Sequence, residues 1–329
     1  MTYLVDSHCH LHDREFFTAE QAEQMLKNAH KNNVKKIICI GTSHEDSLKA
    51  RDFAESHEGV YWTYGTHPEE ASISCSGSRP AGPSPWAAGA ISRAAALRNT
   101  PKQDIDTFLS STGDAIRELS GGKVAGGATE SLTNAGANED AMCFSEHKDL
   151  ARAARSVSEG HAASSFAPSL VAIGEVGLDY HYEPYDRDAQ IRLFEEMLQL
   201  ATDLNLPVSF HIREAFTDFF PVIANFPKIK GVVHSFSDSK KTLRKILETT
   251  DFYIGVNGLT TYTTLPVPPL ERMLLETDAP FLTPTPFRGT INEPAYIKHI
   301  GEFIATKMGV PAAQVAEITT KNVSKLFRI

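Results

Sequence analysis

The sequence predicts an α/β protein: a (β/α)8 TIM-type barrel with a long insertion after its third strand. Three observations lead there. Eight short runs rich in Val, Ile, Leu, Phe or Tyr are spread along the 329 residues, most of them separated by stretches of helical periodicity. Alternating strands and helices build a parallel sheet, and eight repeats allow it to close on itself. Histidines and carboxylates sit at or just beyond the C-terminal ends of several runs, the rim where such barrels assemble their sites.

The first strand is Tyr3–Ser7, and helix Thr18–Asn32 follows, with Thr18 as N-cap and Ala22, Met25, Leu26 and Ala29 on one face. Lys36–Ile40 and Val60–Tyr64 are strands two and three. From Cys75 to Pro168 the pattern breaks into Ser, Gly and Ala, with SGSRPAGPSP and GGKVAGGATESLTNAGAN as near low-complexity pieces. Setting residues 75–168 aside leaves 235 residues, close to the ~250 typical of the barrel. The domain organisation is therefore a barrel of residues 1–74 and 169–329 interrupted by residues 75–168. The insertion holds two helix-like pieces, Asp104–Leu119 and Ser145–Val157, joined by flexible linkers. It is either a lid or substrate-selecting arm, or a poorly ordered segment tolerated in a loop.

Leu170–Gly174 is strand four, and helix Asp186–Leu204 carries Ile191, Phe194, Met197, Leu198 and Ala201 at helical spacing. Strands five and six are Pro207–His211 and Gly231–His234, and helix Ser239–Thr249 leads to strand seven, Phe252–Val256. The connection NGLTTYTTLPVPPLE to strand eight, Arg272–Thr277, has little room for a full helix. Helix Glu293–Met308 and two shorter helices within Ala312–Phe327 close the chain.

Composition narrows the function classes. Hydrophobic content of 41% with 22% charged residues suits a soluble globular protein. No apolar run reaches membrane-spanning length and no basic, apolar leader opens the chain, so a cytoplasmic location is expected, with the nucleus as alternative. Cys9, Cys39, Cys75 and Cys143 form no CxxC pair and read as reduced thiols, with Cys9 turned into packing between two histidines. A net charge of −9 excludes a protein that grips nucleic acid by a broad basic surface. It does not exclude an enzyme acting on phosphodiesters, because cations in the site can supply local positive charge.

Six residues carry the chemistry: His8, His10, Glu175, His211, His234 and Asp278. In a strand, residues i and i+2 share a face, so His8 and His10 can bite one cation together. Imidazole and carboxylate ligands suit Mg²⁺, Mn²⁺ or Zn²⁺ sites. Only a carboxylate can bridge two ions with two oxygens, which makes Glu175 the bridge between two divalent metals. The assignment is His8, His10, Glu175 and Asp278 on one metal, and Glu175, His211 and His234 on the other. Asp278 could also contact the nucleophilic water and act as general base. Singly, each residue reads as a cap, a salt-bridge partner or a core-edge histidine; together, at strand ends, they read as a site.

These residues fall within DSHCHL (Asp6–Leu11), GTHP (Gly65–Pro68), IGEVGLDY (Ile173–Tyr180), FHIRE (Phe210–Glu214), VVHSF (Val232–Phe236) and ETDAPFLTP (Glu276–Pro284). RGTINEP (Arg288–Pro294) and NVSKLF (Asn322–Phe327) follow in order. The set resembles the TatD-type metal-dependent hydrolases and deoxyribonucleases, a branch of the amidohydrolase-like barrels, over residues 1–74 and 169–329. The resemblance implies a (β/α)8-type barrel, the same six metal ligands and phosphodiester cleavage of DNA, with a 3′-to-5′ exonuclease as one form. Single-stranded DNA is the expected substrate, with no obligate protein partner. Amidohydrolase barrels that bridge their metals through a modified lysine differ, since Leu170–Gly177 has no lysine and offers Glu175. A small-molecule amidohydrolase or phosphoesterase remains the alternative. Four departures from the family pattern stand out: the long insertion, the short seventh connection, His12 before Asp13, and no basic residue after Arg288–Gly289.

Further candidates lie beside the motifs. His67 would contact substrate or water, or else cap the chain locally. Arg213 and Arg288 would grip phosphate oxygens, although Arg213 could instead pair with Glu214 or Asp218. Asp179 and Asn257 could orient ligand side chains or form turns. Tyr180, Tyr182 and Tyr185 could stack on a splayed base or simply pack.

Overall fold

The computed structural model describes residues 3–71 and 170–329. The insertion with its two helix-like pieces, and Cys75 and Cys143, fall outside the described residues. Eight parallel strands form one sheet in chain order: β1 Leu4–Cys9, β2 Val34–Cys39, β3 Val60–Tyr64, β4 Leu170–Asp179, β5 Val208–Arg213, β6 Gly231–Val233, β7 Tyr253–Val256 and β8 Met273–Leu275. The ring closes where β8 returns to β1. His10 N–H donates to Ala279 O at 2.8 Å and Asp278 N–H to His8 O at 2.9 Å, with Cys9 and Ala279 bridged in parallel. The closing seam thus runs through three of the candidate ligands.

Among the described residues the helices are α1 Ala19–Lys31, α2 His44–Glu55, α3 Arg187–Leu204, α4 Phe216–Ala224, α5 Lys240–Thr249, α6 Ile297–Met308 and α7 Ala312–Phe327. Thr18 caps α1 in a reciprocal box with Gln21: Gln21 N–H donates to Thr18 Oγ1 and Thr18 N–H to Gln21 Oε1. Between β7 and β8 only 3₁₀ turns occur, at Gly258–Thr261 and Leu270–Arg272, as the short connection predicts. Residues 294–296 form a 3₁₀ turn, so α6 starts four residues later than the sequence suggests.

Ala312–Phe327 is one helix, not two. Its β-branched and polar middle (ITTKN) reads as a break. Yet Val315, Thr319, Val323 and Leu326 form one buried stripe, and Thr319 Oγ1 bonds back to Val315 O at 2.8 Å. That stripe packs Val323, Leu326 and Phe327 against a buried cluster that includes Val5, Ile38, Val171, Val232 and Leu274. Asn322 Nδ2 donates to the carbonyls of Leu270 and Met273 at 2.7 and 2.9 Å, fixing the helix to the start of β8. A second apolar layer lies outside β5, where Phe210 meets Phe194, Phe219 and Phe252 with ring centroids 4.8–6.0 Å apart.

Strand β4 continues past Gly174 to Asp179, because Gly177 lets it approach β5 closely. Gly177 has φ +155° and a Cβ there would lie 1.9 Å from His211 O. Trp62, Thr63 and Tyr64 of β3 pair directly with Leu170, Ala172 and Ile173 of β4. The described barrel therefore closes its hydrogen-bond ladder around residues 75–168. Replacing those residues with a crossover of about a dozen should leave a folded barrel whose thermal unfolding stays cooperative. An insoluble product would show that the insertion supplies core.

Candidate metal centre

The alternation of the strands aims the candidate ligands inward. His8 and His10 on β1 and its end share one face, Ser209, His211 and Arg213 share one face of β5, and Glu175 shares a face of β4 with Asp179. His234 directly follows β6 and Asp278 lies three residues past β8. All six side chains meet at the C-terminal mouth, and Glu175 stands in the middle.

The two oxygens of Glu175 face different histidine pairs. Oε2 lies 3.6 Å from His8 Nε2 and 3.9 Å from His10 Nε2. Oε1 lies 2.6 Å from His211 Nδ1 and 3.0 Å from His234 Nε2. Asp278 Oδ1 joins the first pair, 3.6 Å from both His8 Nε2 and His10 Nε2. Donor atoms of His8, His10 and Asp278 lie within 4.8 Å of one another, and so do those of Glu175, His211 and His234. Two further groups meet the same limit, His8–His234–Glu276 and His67–Asp179–His211.

Three of the four histidines hydrogen-bond an outer partner through their other nitrogen, the arrangement that fixes a ligand's tautomer, and His234 turns its own toward Glu276. His10 Nδ1 donates to Ile40 O at 3.1 Å and His8 Nδ1 lies 3.5 Å from Ser209 Oγ. His211 Nε2 meets Asp179 Oδ2 at 2.8 Å, and His234 Nδ1 faces Glu276 Oε1 at 3.4 Å. His8 Nε2 is buried without a hydrogen-bond partner. A buried lone pair beside two carboxylates is the environment of a nitrogen that coordinates a cation. The donor set present therefore fits divalent metal.

Electrostatics agree with this packing. Burial works to raise the Glu175 pKa, but His234 and His211 hold it well below the usual carboxylate range. Asp278 is likewise held low, against its burial, by His10, His234 and His8. Burial opposes charge on His211, yet Asp179 and Glu175 lift its pKa to about 9. Glu175 and Glu276 outweigh burial at His234 and push its pKa well above the ordinary value. At His8 burial wins, reinforced by His234, whose ring stacks on it at 3.8 Å, and the pKa falls.

Two buried carboxylates that the sequence reading passed over support the centre. Asp6 accepts from Thr277 N–H at 2.9 Å and Thr277 Oγ1 at 2.5 Å, and burial pushes its pKa up to about 8. Asn292 Nδ2 donates to Thr277 O and Phe281 O at 2.8 and 2.6 Å. Together they grip the chain on both sides of Asp278, whose φ of 58° lies in the left-handed region. Glu276 Oε1 accepts from Ser235 N–H at 2.6 Å and Asn257 Nδ2 at 3.3 Å while facing His234. Asn257 thus braces Glu276 and does not reach a ligand itself. The signal for Glu276 was present: in ETD, Glu276 and Asp278 are two apart, like His8 and His10. A Cβ at Gly255 would lie 2.3 Å from Glu276 Oε2, so the glycine makes room for this carboxylate. Glu276→Gln should weaken metal affinity about 10- to 100-fold, measured by metal titration. Unchanged affinity would remove Glu276 from the centre's support.

Of the three candidate substrate contacts, His67 lies against a candidate ligand, and the two arginines stack on tyrosines. His67 is buried, its Nδ1 accepts Glu69 N–H at 3.4 Å at the start of a 3₁₀ turn, and its ring lies 4.4 Å from that of His211. Arg213 lies over Tyr182 at 4.8 Å; Glu214 and Asp218 take His181 and Arg187 instead. Arg288 donates to Thr283 O at 3.1 Å and lies 3.7 Å over Tyr262. Tyr180 and Tyr185 stack on each other at 4.8 Å, which is packing. His12 pairs with Asp46 at 3.2 Å, tying the end of β1 to α2; burial opposes its charge, but Asp46 lifts its pKa to about 10.

An eight-stranded barrel with a cluster of His, Asp and Glu at its C-terminal mouth defines a barrel hydrolase of the metal-dependent kind. The chain belongs to the family described as TatD related DNase, whose model matches residues 5–328. It is 26% identical over 337 aligned positions to the uncharacterized metal-dependent hydrolase YcfH of Escherichia coli, covering 99% of this chain and 96% of that protein. The uncharacterized metal-dependent hydrolase YabD of Bacillus subtilis is 38% identical over 169 residues, 49% of this chain and 66% of YabD. The 3′-5′ ssDNA/RNA exonuclease TatD of Citrobacter rodentium is 37% identical over 176 residues, 49% of this chain and 66% of that protein. The crystal structure of YjjV, a TatD homologue from E. coli, shares the fold with TM-score 0.65 and 22% identity, covering 99% of this chain and 98% of that one.

Proposed function

We propose that this chain is a two-metal phosphodiesterase that hydrolyses DNA, single strands in preference, by direct attack of water. The observation that carries the reading is the division of Glu175: one oxygen toward His8 and His10, the other toward His211 and His234. A carboxylate shared between two cations accounts for such a split. The name of the Citrobacter relative adds the direction, a 3′-to-5′ exonuclease.

In this reading His8, His10, Glu175 and Asp278 would hold one cation, and Glu175, His211 and His234 the other. Bound Mg²⁺, Mn²⁺ or Zn²⁺ would supply Lewis acidity toward a phosphoryl oxygen and lower the pKa of water toward neutrality. Asp278 accepts the proton from the attacking water, and its depressed pKa keeps it ionised to do so. Ile40 O, Ser209, Asp179 and Glu276 hold the four imidazoles in place, so the site is organised before substrate arrives. His67 borders the His211 side, while Arg213 and Arg288 offer guanidinium donors for phosphate oxygens.

The described residues of the barrel, within 1–74 and 169–329, carry this chemistry. The free, buried thiols of Cys9 and Cys39 suit a reducing compartment, cytoplasm or nucleus. No described helix is long and apolar enough to cross a membrane.

Metal-stripped protein reloaded with Mg²⁺, Mn²⁺ or Zn²⁺ should bind about two equivalents and degrade single-stranded DNA, and chelator should abolish the reaction. Cleavage of a simple phosphodiester or an amide with none of DNA would overturn the nuclease reading in favour of a small-molecule hydrolase.

A further inference from the structure

We propose that Tyr182 and Tyr262 are two stacking platforms that carry unpaired bases of a nucleic-acid strand past the metal centre, each beside an arginine that takes a backbone phosphate. The inference rests on the nuclease reading above and adds the residues that select a single strand.

Large exposed apolar side chains among the described residues are Tyr182, Tyr185, Tyr262 and Met308. The three tyrosines all lie past the C-terminal ends of strands, at the mouth that holds the metal centre: Tyr182 and Tyr185 after β4, Tyr262 after β7. Tyr185 already spends one face on Tyr180. Tyr182 and Tyr262 each carry a guanidinium on one face, Arg213 at 4.8 Å and Arg288 at 3.7 Å, which leaves one face of each ring for a base; His181 meets Tyr182 in a T-shaped contact at 4.7 Å. An aromatic ring braced by a cation is held rigid, and a base can stack on it at little entropic cost.

Both pairs reach the chemistry. Arg213 follows His211 by two residues on the same face of β5. Tyr262 follows β7 and Arg288 follows β8, the strand that Asp278 also follows, so this pair borders the same mouth. In the ring the pairs stand three strand positions apart, one at β4/β5 and one at β7/β8, so a strand touching both must cross the mouth between them. The two carboxylates next to Arg213 in the sequence are engaged elsewhere: Asp218 by Arg187 and Tyr180, Glu214 by His181. A net charge of −9 argues against a broad basic surface as the source of affinity, which gives local contacts of this kind more weight in selection. A duplex hides base faces within its own stack, whereas an unpaired strand offers them.

The test compares kcat/KM on a short single-stranded DNA with kcat/KM on bis(p-nitrophenyl) phosphate, which has no base. Tyr182→Ala and Tyr262→Ala should each lower that ratio about fivefold or more, mostly through KM on DNA. Tyr182→Phe and Tyr262→Phe should restore it, since the ring remains. A ratio unmoved by alanine, or phenylalanine variants as impaired as alanine ones, would overturn the stacking role while leaving the nuclease reading intact. A parent protein that cleaves the small ester and no DNA would overturn both.

Discussion

Asp278→Asn should lower kcat on single-stranded DNA by about 10²- to 10⁴-fold, the range associated with loss of a positioned acid or base, measured at saturating metal. The substitution keeps size and shape. Asparagine tolerates the left-handed backbone at φ 58° almost as well as aspartate does, and the backbone N–H still donates to His8 O. The grips of Asp6 and Asn292 on Thr277 are untouched. What disappears is the basic oxygen 3.6 Å from His8 Nε2 and His10 Nε2. An amide oxygen can remain a weak ligand but cannot accept a proton from water. Metal stoichiometry should therefore stay close to that of the parent while turnover collapses. A variant that degrades DNA at the parent rate would sink the assignment of Asp278 as base.

How much of this was legible beforehand differs by element. All eight strands could be read from apolar runs, because inward and outward faces of a barrel strand are both buried. Helices α2 and α4 could not. HEDSLKARDFAE buries only Ser47, Ala50, Phe53 and Ala54, too few apolar positions to show a period, and FTDFFPVIA carries Pro221 inside the helix. Strand β4 looked shorter than it is because Glu175, Gly177 and Asp179 interrupt its apolar run, and those are the positions that turn toward the site. The six candidate ligands were visible as a set because each lies in the C-terminal half of a strand or just past its end, so topology alone brings them to one mouth. Asp6 was not, because its partner is the Thr277 backbone N–H 271 positions away, and Glu276, although two residues from Asp278, shows no sign of its partner, a histidine just past β6. Sequence spacing carries no trace of such contacts until the ring is closed.

Glu175→Gln should have the largest effect on metal binding. One oxygen of the carboxylate would become an NH₂ group, which donates and cannot coordinate, so one histidine pair would face a donor where it now faces an acceptor. The carboxylate is 4% exposed and surrounded by four imidazoles, and it helps to raise the pKa of three of them, His10, His211 and His234. Removing the anion from that buried cluster should cost the metal-free protein about 3 kcal/mol, a Tm drop on the order of 6–12 °C for a domain of this size. Parent protein should gain Tm on adding divalent metal, because an ion that binds only the folded state stabilises it by mass action. The variant should lose most of that gain and at least one equivalent of bound metal, and with them DNA hydrolysis. Differential scanning fluorimetry with and without metal, alongside elemental analysis, separates the two effects. Two equivalents retained with an undiminished metal-induced rise in Tm would show that Glu175 bridges nothing, and the split of its oxygens would then be a hydrogen-bonding arrangement alone.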